Sequence, residues 1–119
     1  MAQNYSALSY MIWQPISLEE LYDDILSAES EMRGEIERLW ELVKIFPEKW
    51  QYDTYGSEED SFWVVAVCGR CIIWYDDIEE HFCLSEYSTY GHFDKNTAHG
   101  VAAGLQNNVQ ALLARIQFN

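Results

Sequence analysis

A chain of 119 residues in which 49% are hydrophobic and 15% aromatic holds enough apolar volume for one core, too little for two, and too much to remain disordered. Twenty acidic residues against seven basic ones leave a formal charge of −13. That field repels phosphate backbones and anionic lipid, which argues against nucleic-acid and membrane partners, and it accelerates encounter with a basic protein surface. The pattern of residues predicts a single α+β domain over residues 1–119, with a four- or five-stranded antiparallel sheet flanked by a long N-terminal helix and a C-terminal helix.

Residues 1–16 form an N-terminal segment. From Met1 to Trp13 no Lys or Arg precedes the apolar residues, so the charged start of a secretory signal is missing, and no apolar run reaches bilayer-spanning length. Three cysteines, an odd number, then imply reduced thiols and a cytoplasmic protein.

Ser17-Leu18-Glu19-Glu20 has the form of a capping box and predicts a helix from residue 17. Leu18, Leu21, Ile25, Ala28, Met32, Ile36, Leu39 and Val43 follow at steps of three and four, extending the stripe to Phe46, where Pro47 stops it. The opposite face carries Glu19, Asp23, Asp24, Glu31, Glu35, Glu37 and Glu41, with Glu29 one turn from Arg33. The stripe shifts register near Glu35 and is too brief for a coiled coil, so it should pack on the domain's own sheet.

Residues 50–93 read as sheet. Trp50-Gln51-Tyr52-Asp53 alternates, Ser57-Glu58-Glu59-Asp60 is a polar turn, and Phe62-Trp63-Val64-Val65-Ala66-Val67 is dense enough for a central strand buried on both faces. Gly69-Arg70 predicts a type II′ hairpin into Cys71-Ile72-Ile73-Trp74-Tyr75. A further strand is expected over Glu80 to Leu84, and a last one from Tyr87 to Phe93, interrupted by Gly91. The final helix, residues 95–117, opens near Asp94 as N-cap and aligns Val101, Leu105, Val109, Leu112 and Ile116. From Lys95 to Asn119 there is no Asp or Glu, so the acidic field belongs to the first helix and the sheet loops.

Cys68-Gly69-Arg70-Cys71 is a Cys-x-x-Cys, and with His81, Cys83 and His92 it could be assembled into a zinc site. The pair sits in a hairpin, without the helix start that activates a redox thiol, and no second ligand pair of common spacing follows. We therefore expect Cys68 and Cys71 to flank a turn, reduced and metal-free, and expect no metal or cofactor. Zinc would require Cys83 and a histidine to converge on the neighbouring strand. Gly100 and Gly104, with Ala103 and Ala111 nearby, suggest a small-residue helix face for sheet docking or a homodimer contact.

Asp76-Asp77-Ile78-Glu79-Glu80 places four carboxylates beside Trp74, Tyr75, His81 and Phe82. No nucleophile elbow, phosphate loop, dinucleotide fingerprint or zinc-protease helix is present, so no catalytic residues are assigned. Ile73 to Phe82, followed by Ser85-Glu86-Tyr87-Ser88-Thr89-Tyr90-Gly91, resembles a pattern in small bacterial proteins, some of which look like immunity proteins of toxin systems. The resemblance implies a bacterial cytosolic protein. The leading expectation is an acidic interaction module, of the immunity type, that presents Trp74, Tyr75, Asp76, Asp77, Glu79, Glu80 and Tyr87 to a basic protein partner. The alternative is a small ligand-binding domain or enzyme with a pocket between sheet and helices, lined by Trp50, Trp63 and Trp74 with His81 or Glu80 as the polar group.

Overall fold

Ser17 opens the first helix through both arms of the capping box. In the computed structural model, which describes residues 14–52, 61–93 and 103–118, Glu20 N–H donates to Ser17 Oγ at 3.1 Å and Ser17 N–H donates to Glu20 Oε1 at 3.2 Å. Helix α1 (Leu18–Glu29) buries Leu21 and Ile25. A continuous helix over 17–46 does not form. The chain turns at Ser30–Arg33, where Arg33 Nη1 donates to the carbonyls of Ser30 and Met32 at 3.0 and 2.6 Å, and Met32 is driven inward to 1% exposure. Gly34 then starts helix α2 (Gly34–Val43) with φ +59, a left-handed backbone that side chains rarely adopt. Glu29 pairs not with Arg33 but with Trp40 Nε1 at 2.6 Å and Lys44 Nζ at 3.3 Å.

Strand β1 (Lys44–Tyr52) begins directly after α2, so Ile45, Phe46 and Pro47 belong to the sheet and not to the helix. Pro47 is accommodated because the register between β1 and its neighbour shifts between Lys44 and Glu48, a place where no ladder N–H is demanded. Strands β2 (Ser61–Cys68), β3 (Cys71–Asp76), β4 (His81–Glu86) and β5 (His92–Phe93) complete a five-stranded sheet of order β4-β3-β2-β1-β5. β2 is central, as its density of apolar residues predicts. The hairpin at Gly69-Arg70 pairs Cys68 with Cys71. Gly69 has φ +59, while Arg70 keeps a negative φ, the combination of a type II′ turn.

The sheet is mixed and not purely antiparallel: β1–β2, β2–β3 and β3–β4 are antiparallel, but β5 runs parallel to β1. The chain leaves β4 at one edge, crosses to the far edge, and is turned into β5 by Gly91 at φ +94. Only His92 and Phe93 of the expected 87–93 strand pair.

Each face of the sheet carries its own core. On one face Val65, Ala66, Ile73, Tyr75, Phe82 and Leu84 meet the helices. Val65 and Ala66 both reach that face because the β2–β3 register slips between Val64 and Ala66. The other face gathers Trp50, Phe62, Val64, Ile72, Trp74 and Phe93, with Tyr52, Cys83 and Tyr87 packed on them. Helix α3 (Leu105–Phe118) does not include Ala103 and Gly104 of the helix expected over 95–117, because Ala103 bridges to Phe82; it buries Leu105, Val109 and Leu112 in the helix-side core, whereas Ile116 stays 48% exposed. Gly104 precedes α3 and does not lie on it, so it provides no helical small-residue face for a dimer. Asp53, Ser57 to Asp60, Asp94, His99, Gly100 and Val101 lie outside the described residues. No described helix is long and apolar enough to cross a membrane.

Candidate functional site

The β3–β4 connection carries most of the expected partner-binding residues, and its backbone explains what each can do. Asp76 pairs with His81 across a four-residue turn. Its Oδ1 accepts the N–H groups of Ile78 and Glu79 at 3.0 and 3.1 Å, and Glu80 N–H donates to Asp76 O at 2.7 Å. Glu80 closes the turn at φ 62, the only non-glycine positive φ among the described residues. Asp76 is thus the residue that shapes the turn. Asp77 is swung inward, 8% exposed, and its Oδ2 accepts the Ile16 N–H at 2.9 Å.

Ile16 is held from both sides, because Trp63 Nε1 donates to its carbonyl at 3.3 Å. This double clamp lays residues 14–16 against the sheet and forms one wall of a cleft of about 430 Å³ lined by Gln14, Pro15, Ile16, Glu20, Asp24, Tyr75, Asp77 and Glu80. Glu20 and Asp24 come from α1 one turn apart; Tyr75, Asp77 and Glu80 come from the end of β3 and its turn. Glu20, Asp24, Asp77 and Glu80 therefore direct four carboxylates to one concavity. Burial first, then Asp23 and Glu20, raises the Asp24 carboxyl above its ordinary value. Burial likewise raises Asp77, against the Ile16 amide and Lys49, which lower it. The Tyr75 hydroxyl is pushed up by burial and then by Asp24, Glu80, Asp77 and Asp76. Burial is the leading cause of all three shifts, and neighbouring carboxylates add to it at Asp24 and Tyr75.

The remaining expected partner residues separate. Trp74 is 3% exposed and on the opposite face, where its Nε1 donates to buried Ser85 Oγ at 2.9 Å; it packs in the core there, away from the cleft. Tyr87 packs edge-on against Trp50 at 5.0 Å and donates its hydroxyl to Gly69 O at 2.7 Å, pinning the crossing to the Cys68–Cys71 hairpin. Glu79 is exposed beside the cleft without lining it. Tyr75, Asp77 and Glu80 are the three that the structure brings together.

The chain matches no protein-family model, no curated protein and no solved structure. Its function is therefore read from its own geometry.

Glu20 and Asp24 were not among the residues assigned from the sequence, although their spacing of four on the acidic face of α1 places them side by side. The pocket lined by three tryptophans does not form: Trp63 packs with the helix-side core, where Lys49 lies 4.8 Å from its ring centre, while Trp50 and Trp74 belong to the other face. Cys68 and Cys71 also pack on the helix side and Cys83 on the opposite one, so the four-ligand site drawn from the Cys-x-x-Cys is not assembled. Burial, and next the neighbouring Cys71, pushes the Cys68 thiol up. That makes it a poor nucleophile.

A second concavity, about 330 Å³, is lined by Tyr22, Ile25, Leu26, Glu29, Trp40, Lys44, Ile45 and Phe46. It is mainly apolar, and at its rim Leu26 and Phe46 are 58% and 75% exposed. At 100° per residue, Glu20 and Asp24 lie on one flank of α1 and Tyr22, Leu26 and Glu29 on the other.

Proposed function

We propose that this protein is an acidic interaction module that receives a basic side chain of a protein partner in the cleft between α1 and the β3–β4 turn. One observation carries the reading: Glu20, Asp24, Asp77 and Glu80 line a single concavity, and the carboxyls of Asp24 and Asp77 are raised. Carboxylates gathered along one cleft are relieved by a guanidinium or ammonium group, which lowers their pKa values and gains charge-assisted hydrogen bonds. The net charge of −13 supports rapid encounter with a basic surface. The apolar groove on the far flank of α1 supports a partner that straddles the helix, with its cation in one concavity and an apolar side chain in the other. An immunity-type inhibitor in a bacterial cytoplasm is the biological form of this reading, and it rests on the resemblance over Ile73 to Phe82 and Ser85 to Gly91.

The test uses a short peptide with one arginine flanked by leucines, and its citrulline counterpart, titrated into the full chain and followed by NMR. The arginine peptide should shift the amides of Ile16, Asp24 and Glu80. Asp24→Asn combined with Glu80→Gln should weaken binding about tenfold or more, as expected for removing charge-assisted contacts of about 1.5–3 kcal/mol, while the remote pair Glu35→Gln with Glu37→Gln should not. Equal binding of the citrulline peptide, or equal loss in the remote pair, would refute the cleft as the site. A second reading is favoured by the same raised carboxyls: the cleft takes a small cationic molecule instead of a protein side chain. Free arginine binding as tightly as the peptide would select it.

A further inference from the structure

The turn that shapes the cleft also aligns three different donors on the opposite face of the sheet. His81 and Cys83 stand two apart on β4 and therefore point to one side. Asp76 is the cross-strand partner of His81 and points to that side as well. The donor atoms of Asp76, His81 and Cys83 all lie within 4.8 Å of one another, and all three side chains are half-buried. His81 Nδ1 is 3.3 Å from Cys83 Sγ. Bond lengths of about 2.0–2.3 Å in a tetrahedral zinc site require donors roughly 3.3–3.8 Å apart, so the His81–Cys83 pair already stands at a ligand edge, and a small joint movement of these two side chains toward Asp76 closes the longer edges.

We propose that Asp76, His81 and Cys83 form a binding site for a borderline-soft divalent cation of the zinc class. The donor set selects for this chemistry: a thiolate and an imidazole disfavour magnesium and calcium, whereas sulfur, nitrogen and one carboxylate suit zinc, cobalt or nickel. The carboxylate is also oriented from behind. Asp76 Oδ1 is committed to the amides of Ile78 and Glu79, which fixes the group and leaves Oδ2 for the ion. The neighbouring Asp77, Glu79 and Glu80 add negative potential that concentrates cations. Three protein ligands leave a fourth position for water or for a donor from another molecule. The sequence offered His81 and Cys83 only together with Cys68 and Cys71, which take the other face of the sheet, and it did not offer Asp76 as a ligand.

The site is tested by titrating the full-length, reduced, metal-free protein with Co²⁺ and then Zn²⁺. One equivalent of Co²⁺ should give tetrahedral ligand-field bands and a thiolate-to-cobalt charge-transfer band, which Zn²⁺ abolishes. Cys83→Ser should lose the charge-transfer band, and His81→Gln should weaken binding by more than the roughly 10- to 100-fold typical of changes behind the ligands. The double variant Cys68→Ser/Cys71→Ser should keep both bands. Because a variant can fail by unfolding, the unmutated protein gives an independent readout: Zn²⁺ should shift the His81 ring resonances in slow exchange and leave His92 unmoved. Absence of a charge-transfer band, its loss in the Cys68/Cys71 variant, or unmoved His81 resonances under saturating Zn²⁺ would overturn the site.

Discussion

At Asp77 a carboxyl that the sequence places in a solvated acidic turn is 8% exposed and serves as the acceptor for Ile16 N–H. Its folded-state pKa lies above the ordinary 3.8, so in the interval between those values the folded protein binds the proton more tightly than the unfolded chain. Stability therefore rises as pH falls through that interval and is lost as pH rises through it; above the raised value the cost of burying the ionised group is fully present. Asp77→Asn keeps an acceptor for Ile16 and removes this titration. We expect it to flatten the pH dependence of urea unfolding in the range just above the ordinary 3.8, with no loss of stability near pH 7. Asp77→Ala, which leaves the Ile16 amide without its acceptor, should cost about 1–2 kcal/mol at the same pH. Equal slopes for the Asp77→Asn variant and the unmutated protein would show that the acid response arises elsewhere in the cleft, with Asp24 the next residue to replace.

At the level of elements, the break between α1 and α2 decides where the cleft can form. It ends α1 after Glu29 and frees Lys44 to Pro47 for the sheet. The break is held by Gly34 at φ +59, where an added Cβ meets nothing within 4 Å. Gly34→Ala should thus lose stability through the backbone alone, by about 1–2 kcal/mol, the cost of a left-handed alanine. A thermal melt with calorimetry measures it, and a stabilising effect would mean that the two helices can fuse. The register shift near Glu35 is the trace of this break in the sequence. Its position was not legible as a break because Met32 and Ile36 keep helical spacing across it, and only Met32's inward plug shows why the chain must turn there.

For the whole molecule, the same surplus of negative charge acts in opposite directions on folding and on binding. Only a few acids are neutralised by the described ion pairs, Lys44 with Glu29 and Glu41 and Arg115 with Glu86, so self-repulsion opposes the folded state. Raising sodium chloride from about 0.05 M to about 0.5 M shortens the screening length from above 10 Å to below it. The melting temperature should rise over that range while affinity for the arginine peptide falls. A melting temperature that falls with salt would show that attractive pairs, and not repulsion, dominate the surface.

The α+β class, the capping box at Ser17, the central strand Phe62 to Val67, the Gly69-Arg70 turn and the burial of Leu105, Val109 and Leu112 on α3 were all readable from the residues. Each depends on local periodicity or on a backbone conformation that few residues tolerate. The acidic character of the surface was equally legible, since charge is a property of composition. The tertiary structure decided the rest. Parallel pairing of β5 with β1 depends on where a crossing chain lands, which no local pattern encodes. Tyr75, Asp77 and Glu80 join Glu20 and Asp24, far from them in the chain, because Ile16 is clamped between Asp77 and Trp63. Trp74 and Tyr75, adjacent in the chain, part company because successive strand residues face opposite sides of a sheet whose two faces are both buried.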